Sequence, residues 1–407
     1  MGGGILELVS SGPQDKFLFE NEPKTSPFNI TYKKPGNFAI DTKKVYFDGP
    51  FDFNTRSVAT IPHNGDLLTN LFIEAQLPQM TPSRTNVSWT NSIGHALFQK
   101  IELLIGNVVI DTHYGEWYEI WSELMNKSSR KDAYNTMVGK FPVGIPPSVM
   151  NQTAYTIYLP LKFWFCEEYE LALPLIALYN DEIKVAVYTR KFDELWVSDD
   201  GNPPTGKYTI SQGFLYADYI YLDKSERKLF AENKHSFIVK QLQLNEMNYI
   251  NPNFTNVKIP FEFNHPVTEL IWTIQRSDIG DKGEDKGNDW FNYSDSITII
   301  RNDPLVRGKI IFSSADRTEY HHSNFYRLLQ PYRYHSRTPD NFIYNYSFSL
   351  KPEDPQSYGS CNFSQITGAE LHIQIKENHP GSTVKLWAIN FNILSIKNGL
   401  GFIKFSA

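Results

Sequence analysis

Hydrophobic and polar positions alternate with a period of two through much of this chain. The pattern is plain in SVATIP (57–62), TAYTIYLPLKFWF (153–165), KVAVYT (184–189), ELHIQIKE (370–377) and STVKLWAINFNILSI (382–396). In each, β-branched or aromatic residues recur at every second place, which predicts half-buried strands. Helical three-and-four spacing is confined to GEWYEIWSELM (115–125) and DKSERKLFAEN (223–233). The second carries Asp223 as a predicted N-cap ahead of Glu226. Both read as short connectors, so the fold class is all-β.

The pattern also repeats. LLTNLFIEAQLP (67–78) aligns with PVTELIWTIQRS (266–277), placing Thr69 on Thr268 and Leu71 on Leu270. HYGEWYEIW (113–121) aligns with HHSNFYRLL (321–329), Tyr118 on Tyr326. DEIKVAV (181–187) aligns with AELHIQI (369–375), and FLYADYIYL (214–222) with LWAINFNIL (386–394). The order is kept while the spacing drifts, as expected of two copies of one β-domain whose loops differ in length. About eight strands per copy, joined by long crossing connections, favour a jelly roll. The expected organisation is an N-terminal arm (1–27), a first jelly-roll barrel (28–222), a helical connector (223–234) and a second barrel (235–407). The inserts PQMTPSRTNVSWTNS (78–92) and SDIGDKGEDKGNDWFNYSDS (277–296) fall at equivalent points and are expected on exposed surface.

Composition narrows the function. Aromatics are 14% of the 407 residues and the formal net charge is −6. That balance argues against direct nucleic-acid binding, which needs clustered Lys and Arg. The two cysteines, Cys166 and Cys361, make no disulfide framework and no Cys-x-x-Cys pair. No stretch approaches the roughly 18 apolar residues of a membrane span. The start, MGGGILELVSSGPQDKF, lacks a basic region followed by an apolar core, so neither a signal peptide nor lipidation is expected.

Candidate chemistry is sparse. Cys361 lies in YSFSLKPEDPQSYGSCNFSQI (346–366), where Pro352, Pro355, Gly359 and Ser360 suit a turn between strands. A nucleophile would need a base and an orienting group beside it, and a structural role is the expectation. His321 and His322 are adjacent and would face opposite sides of a strand, unlike a His-x-His metal pair. DIGDKGEDKGND (278–289) lacks the ligand spacing of a calcium loop. Glu167, Glu168 and Glu170 are sequence neighbours and do not form a facing acid pair. No catalytic residue, metal or cofactor is expected. Asn-x-Ser/Thr triplets occur at Asn29, Asn86, Asn126, Asn151, Asn253, Asn292, Asn345 and Asn362.

Several segments together resemble the double jelly-roll major capsid proteins of nucleocytoplasmic large DNA viruses, such as iridoviruses and phycodnaviruses. They are GGGILELVSSGPQDKFLFENEPKTSPFNITYKKPGNFA (2–39), YLDKSERKLFAENKHSFIVKQLQ (221–243), FNHPVTELIWTIQ (263–275), the Cys361 segment, and WAINFNILSIKNGLGFIKFS (387–406). A plain SYGSCNFSQI departs from the Pro-Ser-Gly that many members have before the Cys. The resemblance implies two tandem eight-stranded jelly rolls with short connecting helices and a structural virion protein without enzymatic activity. It implies homotrimeric, pseudo-hexameric capsomers tiling an icosahedral shell and contacts to neighbouring capsomers. It implies minor capsid and penton proteins, an internal membrane below, and assembly at viral factories in the host cytoplasm. Glycans are part of the same implication, with Asn86 and Asn292 as candidate sites. A transient double-jelly-roll scaffold of virion assembly and a jelly-roll glycan-binding protein are the alternatives.

Overall fold

The computed structural model describes residues 3–10, 12–13, 15, 28, 35–83, 86–142, 154–246, 249–280, 288–296, 301–377 and 379–405. The chain divides into two compact units, Met1–Phe38 and Ala39–Ala407. The first contains helix Gly3–Val9, whose Ile5, Leu6, Leu8 and Val9 are all exposed. Most of the expected arm lies outside the described residues.

Among the described residues, sixteen strands of the long unit form two sets of eight, with a few strands of two to four residues beside them. The first set is β1 (Phe38–Tyr46), β2 (Arg56–Ile61), β3 (Leu67–Leu77), β4 (Phe98–Ile105), β5 (Val108–Tyr114), β6 (Tyr155–Pro160), β7 (Ile183–Thr189) and β8 (Gln212–Leu222). The second is β9 (His235–Glu246), β10 (Asn256–Phe261), β11 (Pro266–Arg276), β12 (Leu305–Phe312), β13 (Ala315–Asp316), β14 (Ile343–Ser347), β15 (Ala369–Ile375) and β16 (Ser382–Lys397). The first set pairs as β1-β8-β3-β6 and β2-β7-β4-β5, the second as β9-β16-β11-β14 and β10-β15-β12-β13. Adding eight to every label of the first set yields the second, so both sets have one jelly-roll topology. Each roll pairs its strands in two open sheets, the jelly-roll architecture that the sequence predicts.

Matched lengths explain why the repeat was visible. Strands β3 and β11 are each 11 residues long and occupy the aligned segments. Both carry a bulge at the aligned threonine: the register slips between Leu71 and Leu68 around Thr69, and between Val267 and Glu269 around Thr268. A bulge leaves one residue without a ladder partner. At Thr268 the hydroxyl donates to the Ile389 carbonyl at 3.1 Å. The alignment of 181–187 with 369–375 was two residues off, since the paired strands are 183–189 and 369–375.

Burial separates the two rolls. β3 buries alternate residues, whereas β11 is buried at every position from Val267 to Gln275. One face of β11 lies in its own core, where Trp272 stacks on Tyr344 and meets Tyr326 edge-on. Its neighbour β16 turns Trp387 toward Tyr114 and Trp117 of the first roll. The buried apolar residues of both rolls therefore form one continuous cluster. Between the rolls, Asp223 caps helix Lys224–Glu232 by accepting from the Ser225 and Glu226 amides, as its position predicts.

Candidate assembly site at the inter-roll seam

The seam is built on helix Gly115–Leu124, which follows β5. It starts at glycine for a steric reason. A Cβ on Gly115 would collide with the carbonyl oxygens of His95 and Phe98. Close approach then buries nearly the whole helix, including Glu116, Glu119 and Glu123. Spacings of three and four put these carboxylates on neighbouring turns of one face.

Buried carboxylates need charged partners, and each has them. Glu116 accepts from Arg190 at 2.9 Å and from Lys385 of the second roll at 3.3 Å. Glu119 accepts from His95 Nδ1 at 2.7 Å and Lys140 at 2.6 Å. Glu123 meets Lys140, accepts the Asp340 amide at 2.7 Å and faces Arg337 at 3.4 Å. Burial would raise the pKa of Glu119, but Lys140 and His95 outweigh it and bring the carboxyl down to about 2. Burial lowers the pKa of His95, so the imidazole is neutral, donating from Nδ1 to Glu119 while Nε2 accepts from Tyr134 at 2.9 Å. This Tyr-His-Glu chain resembles a catalytic relay in outline. His95 and Glu119 are, however, sealed from solvent, and no substrate reaches them.

A second contact comes from the inserts, and it corrects in part the expectation that they are exposed surface: residues 79, 81–83 and 86 are exposed, whereas 87–90 are buried. Residues 281–287 lie outside the described residues, but Asn288 and Asn292–Ser294 are buried. Asn288 Nδ2 donates to the carbonyls of Asp193 (2.9 Å) and Trp196 (2.7 Å) in the first roll, and its own carbonyl accepts from Thr90. Trp290 Nε1 donates to Glu194 O at 2.7 Å, and Arg190 lies over its ring. The two inserts thus belong to one packed contact. Further along, the Asn180 amide donates to Gly399 O and the Gly401 amide to Asp181.

Other candidate residues are scattered. Asn86 is exposed and donates to Asp199 at 3.1 Å. Asn292 is wholly buried, with Nδ2 on Ser296 O and Oδ1 accepting from Ser294. A glycan there would have no room, which corrects that candidate. Cys361 is half-buried in the two-residue strand Cys361–Asn362 beside Val267, and burial pushes its thiol pKa up, away from the reactive thiolate. Gly359 has φ +113°, a turn only glycine adopts readily. His321 and His322 pair with Gly308 and Arg307, and His321 stacks on Phe325 with ring centroids 4.0 Å apart. Among the described residues no cluster of three metal-ligating side chains occurs.

Sequence reasoning missed the seam glutamates. On a helix read as a connector they look like a solvated face, and the one signal was their alternation with Trp117, Ile120 and Leu124.

Comparison with known proteins agrees with this architecture. Residues 26–223 match the family model described as major capsid protein N-terminus, and residues 226–402 match that of the large eukaryotic DNA virus major capsid protein. The chain is 31% identical over 431 aligned residues to the major capsid protein of Pyramimonas orientalis virus, covering 100% of both. It superposes on a chain of the PBCV-1 virus capsid with a TM-score of 0.79 and 24% identity, covering 94% of this chain and 100% of that one. The Faustovirus major capsid protein matches with a TM-score of 0.76 and 12% identity over 92% and 93% of the two chains. The double-roll fold, the fused seam and these matches lead to one conclusion: the chain belongs to the major capsid proteins of large eukaryotic DNA viruses, with a structural role in the virion.

Proposed function

We propose that three copies of this chain close into a pseudo-hexameric capsomer that tiles an icosahedral shell beside neighbouring capsomers. The observation that carries the reading is the repeated topology, β1-β8-β3-β6 answered by β9-β16-β11-β14. Two like rolls per chain offer two like flanks, so a threefold ring presents six. Such rings close by heterologous contacts. The seam supports this role, because a building block must keep its two rolls in fixed register. Surface for the contacts exists at Tyr179, Leu400 and Phe402, which are 62%, 48% and 49% exposed.

In this reading the assembly modules are 28–222 and 235–407, joined by the connector 223–234. The arm 1–27 ties the capsomer to minor capsid and penton proteins and to an internal membrane beneath the shell. A net charge of −6 suits a block with no direct nucleic-acid contact. Assembly takes place at viral factories in the host cytoplasm, and Asn86 is the glycan site. The protein performs no catalysis; its work is burying area against its neighbours.

Light scattering of the purified chain tests the assembly. The expected mass is about 141 kDa, three times the 47.0 kDa chain. A monomer or dimer at micromolar concentration, with no trimer on further concentration, counts decisively against it. A hydrolase screen whose turnover disappears in Cys361→Ala or in His321→Ala/His322→Ala would overturn the non-catalytic reading.

A further inference from the structure

Beside the seam lies an open cleft of about 710 Å³ with walls from both rolls, Trp121, His113 and Lys162 on one side and Lys240 and Gln241 on the other. Its charges are incompletely matched. Lys240 is satisfied, donating to the carbonyls of Pro352 and Glu353, both at 3.0 Å, and lying 3.9 Å from Glu167. Lys162 is not. Its ammonium lies 4.0 Å over the Trp121 ring, and among the described residues no carboxylate comes within ion-pair distance of Lys162, Arg130 or Lys127. Burial lowers the pKa of Lys162, outweighing the more distant Glu167 carboxylate, which works to raise it. Among the described residues, two further polar atoms in the lining lack hydrogen-bond partners, His113 Nδ1 and Trp164 Nε1, and each side chain is more than nine-tenths buried.

A half-buried cation over an indole, with the Trp164 N–H left open beside it, is arranged for an anion. The rest of the lining decides which kind. Met125, Met137 and Leu161 offer apolar surface, while Glu167, Glu168 and Glu353 would repel a multiply charged phosphate. We propose that this cleft binds a small amphiphilic carboxylate, of the kind a fatty acid presents, with its head group on Lys162 and Arg130 and its tail along Trp121, Met125 and Met137. Such a ligand stabilises the folded chain by mass action.

Dodecanoate below its micelle concentration is the probe, added to the full-length assembled protein. Intrinsic tryptophan fluorescence reports occupancy and a thermal melt reports stabilisation. The expected result is saturable quenching with a rise in Tm. Affinity falls at least about ten-fold in Lys162→Met, as for loss of a charge-assisted contact, and is largely retained in Lys162→Arg. Dodecanol should bind at least about ten-fold more weakly, because it lacks the charge. Acetate and inorganic phosphate should leave fluorescence and Tm unchanged. Equal affinity for dodecanol, unchanged affinity in Lys162→Met, or equal binding of acetate or phosphate would overturn the assignment. If Lys162→Met does not fold, Arg130→Gln on the exposed rim carries the test, and an unaltered dodecanoate affinity there overturns it.

Discussion

Nε2 of His335 lies 2.9 Å from Oε2 of Glu269, with both side chains closed to solvent, while its Nδ1 faces Glu353 at 3.1 Å. The contact to Glu269 is an ion pair without hydrogen-bond alignment. Burial alone would depress the imidazole, but the two carboxylates outweigh it and raise its pKa from 6.5 to about 9. A folded-state pKa above the unfolded one stabilises below the unfolded value and loses that stabilisation as pH rises through the folded value. The protein should therefore lose on the order of 3 kcal/mol between about pH 6.5 and pH 9 from this group. Thermal melts across that window should show Tm falling with pH, and His335→Gln should flatten the fall while lowering Tm at pH 6. A slope unchanged in the variant would place the titration elsewhere.

The seam predicts a contrast between two neighbouring ion pairs, Glu123–Arg337 and Lys131–Asp340. Glu123 and Arg337 have side chains 2% and 8% exposed, and removing Glu123 leaves Lys140 with Glu119 alone, Arg337 with Asp340 alone and the Asp340 amide without its acceptor. Glu123→Ala should cost about 3–5 kcal/mol, the usual penalty for breaking a buried pair. Lys131 and Asp340 are far more exposed, at 35% and 61%. Lys131→Ala should cost no more than about 1 kcal/mol. Denaturant unfolding of both variants decides, and equal costs would mean that the seam is solvated.

How much of this was legible before the fold was known depended on how local each signal is. The repeat could be read because β3 and β11 keep the same length and the same bulged threonine. Asp223 could be read because a cap acts on its own helix. The seam could not. Glu123 and Arg337 are more than 200 residues apart, and nothing at either position announces the other. Asn292 failed for a related reason, since an insert rich in Gly and Asp reads as surface until the roll that covers it is in place.

Asn288 provides a test of that buried insert. It has φ +49°, in the left-handed region, and its carboxamide satisfies two carbonyls of the first roll, those of Asp193 and Trp196. Asn288→Ala should combine backbone strain with two orphaned carbonyls and cost about 2–4 kcal/mol. Asn288→Gly removes the strain but not the orphans, so it should cost about 1–3 kcal/mol. The difference between the two, read from denaturant midpoints, isolates the left-handed backbone. Neutral substitutions would return the insert to the exposed surface where sequence placed it.

Trp272 sits at the centre of the second core, wholly buried, with its ring stacked on Tyr344 and edge-on to Tyr326. Replacing it by Ala removes that packing and leaves a cavity, so Trp272→Ala should cost about 3–5 kcal/mol. Its indole nitrogen has no hydrogen-bond partner, and an unmade bond in a dry core is itself destabilising. Trp272→Phe deletes the unsatisfied N–H along with some volume, and the two effects oppose each other. That variant should therefore cost less than about 1.5 kcal/mol, in the range of volume-conserving core changes. Ile73, the position in β3 that aligns with Trp272, is also fully buried, and Ile73→Ala should cost about 2–5 kcal/mol. Equilibrium unfolding of the three variants tests the chain of reasoning. If Trp272→Phe were as damaging as Trp272→Ala, the indole nitrogen would have to be engaged by a partner.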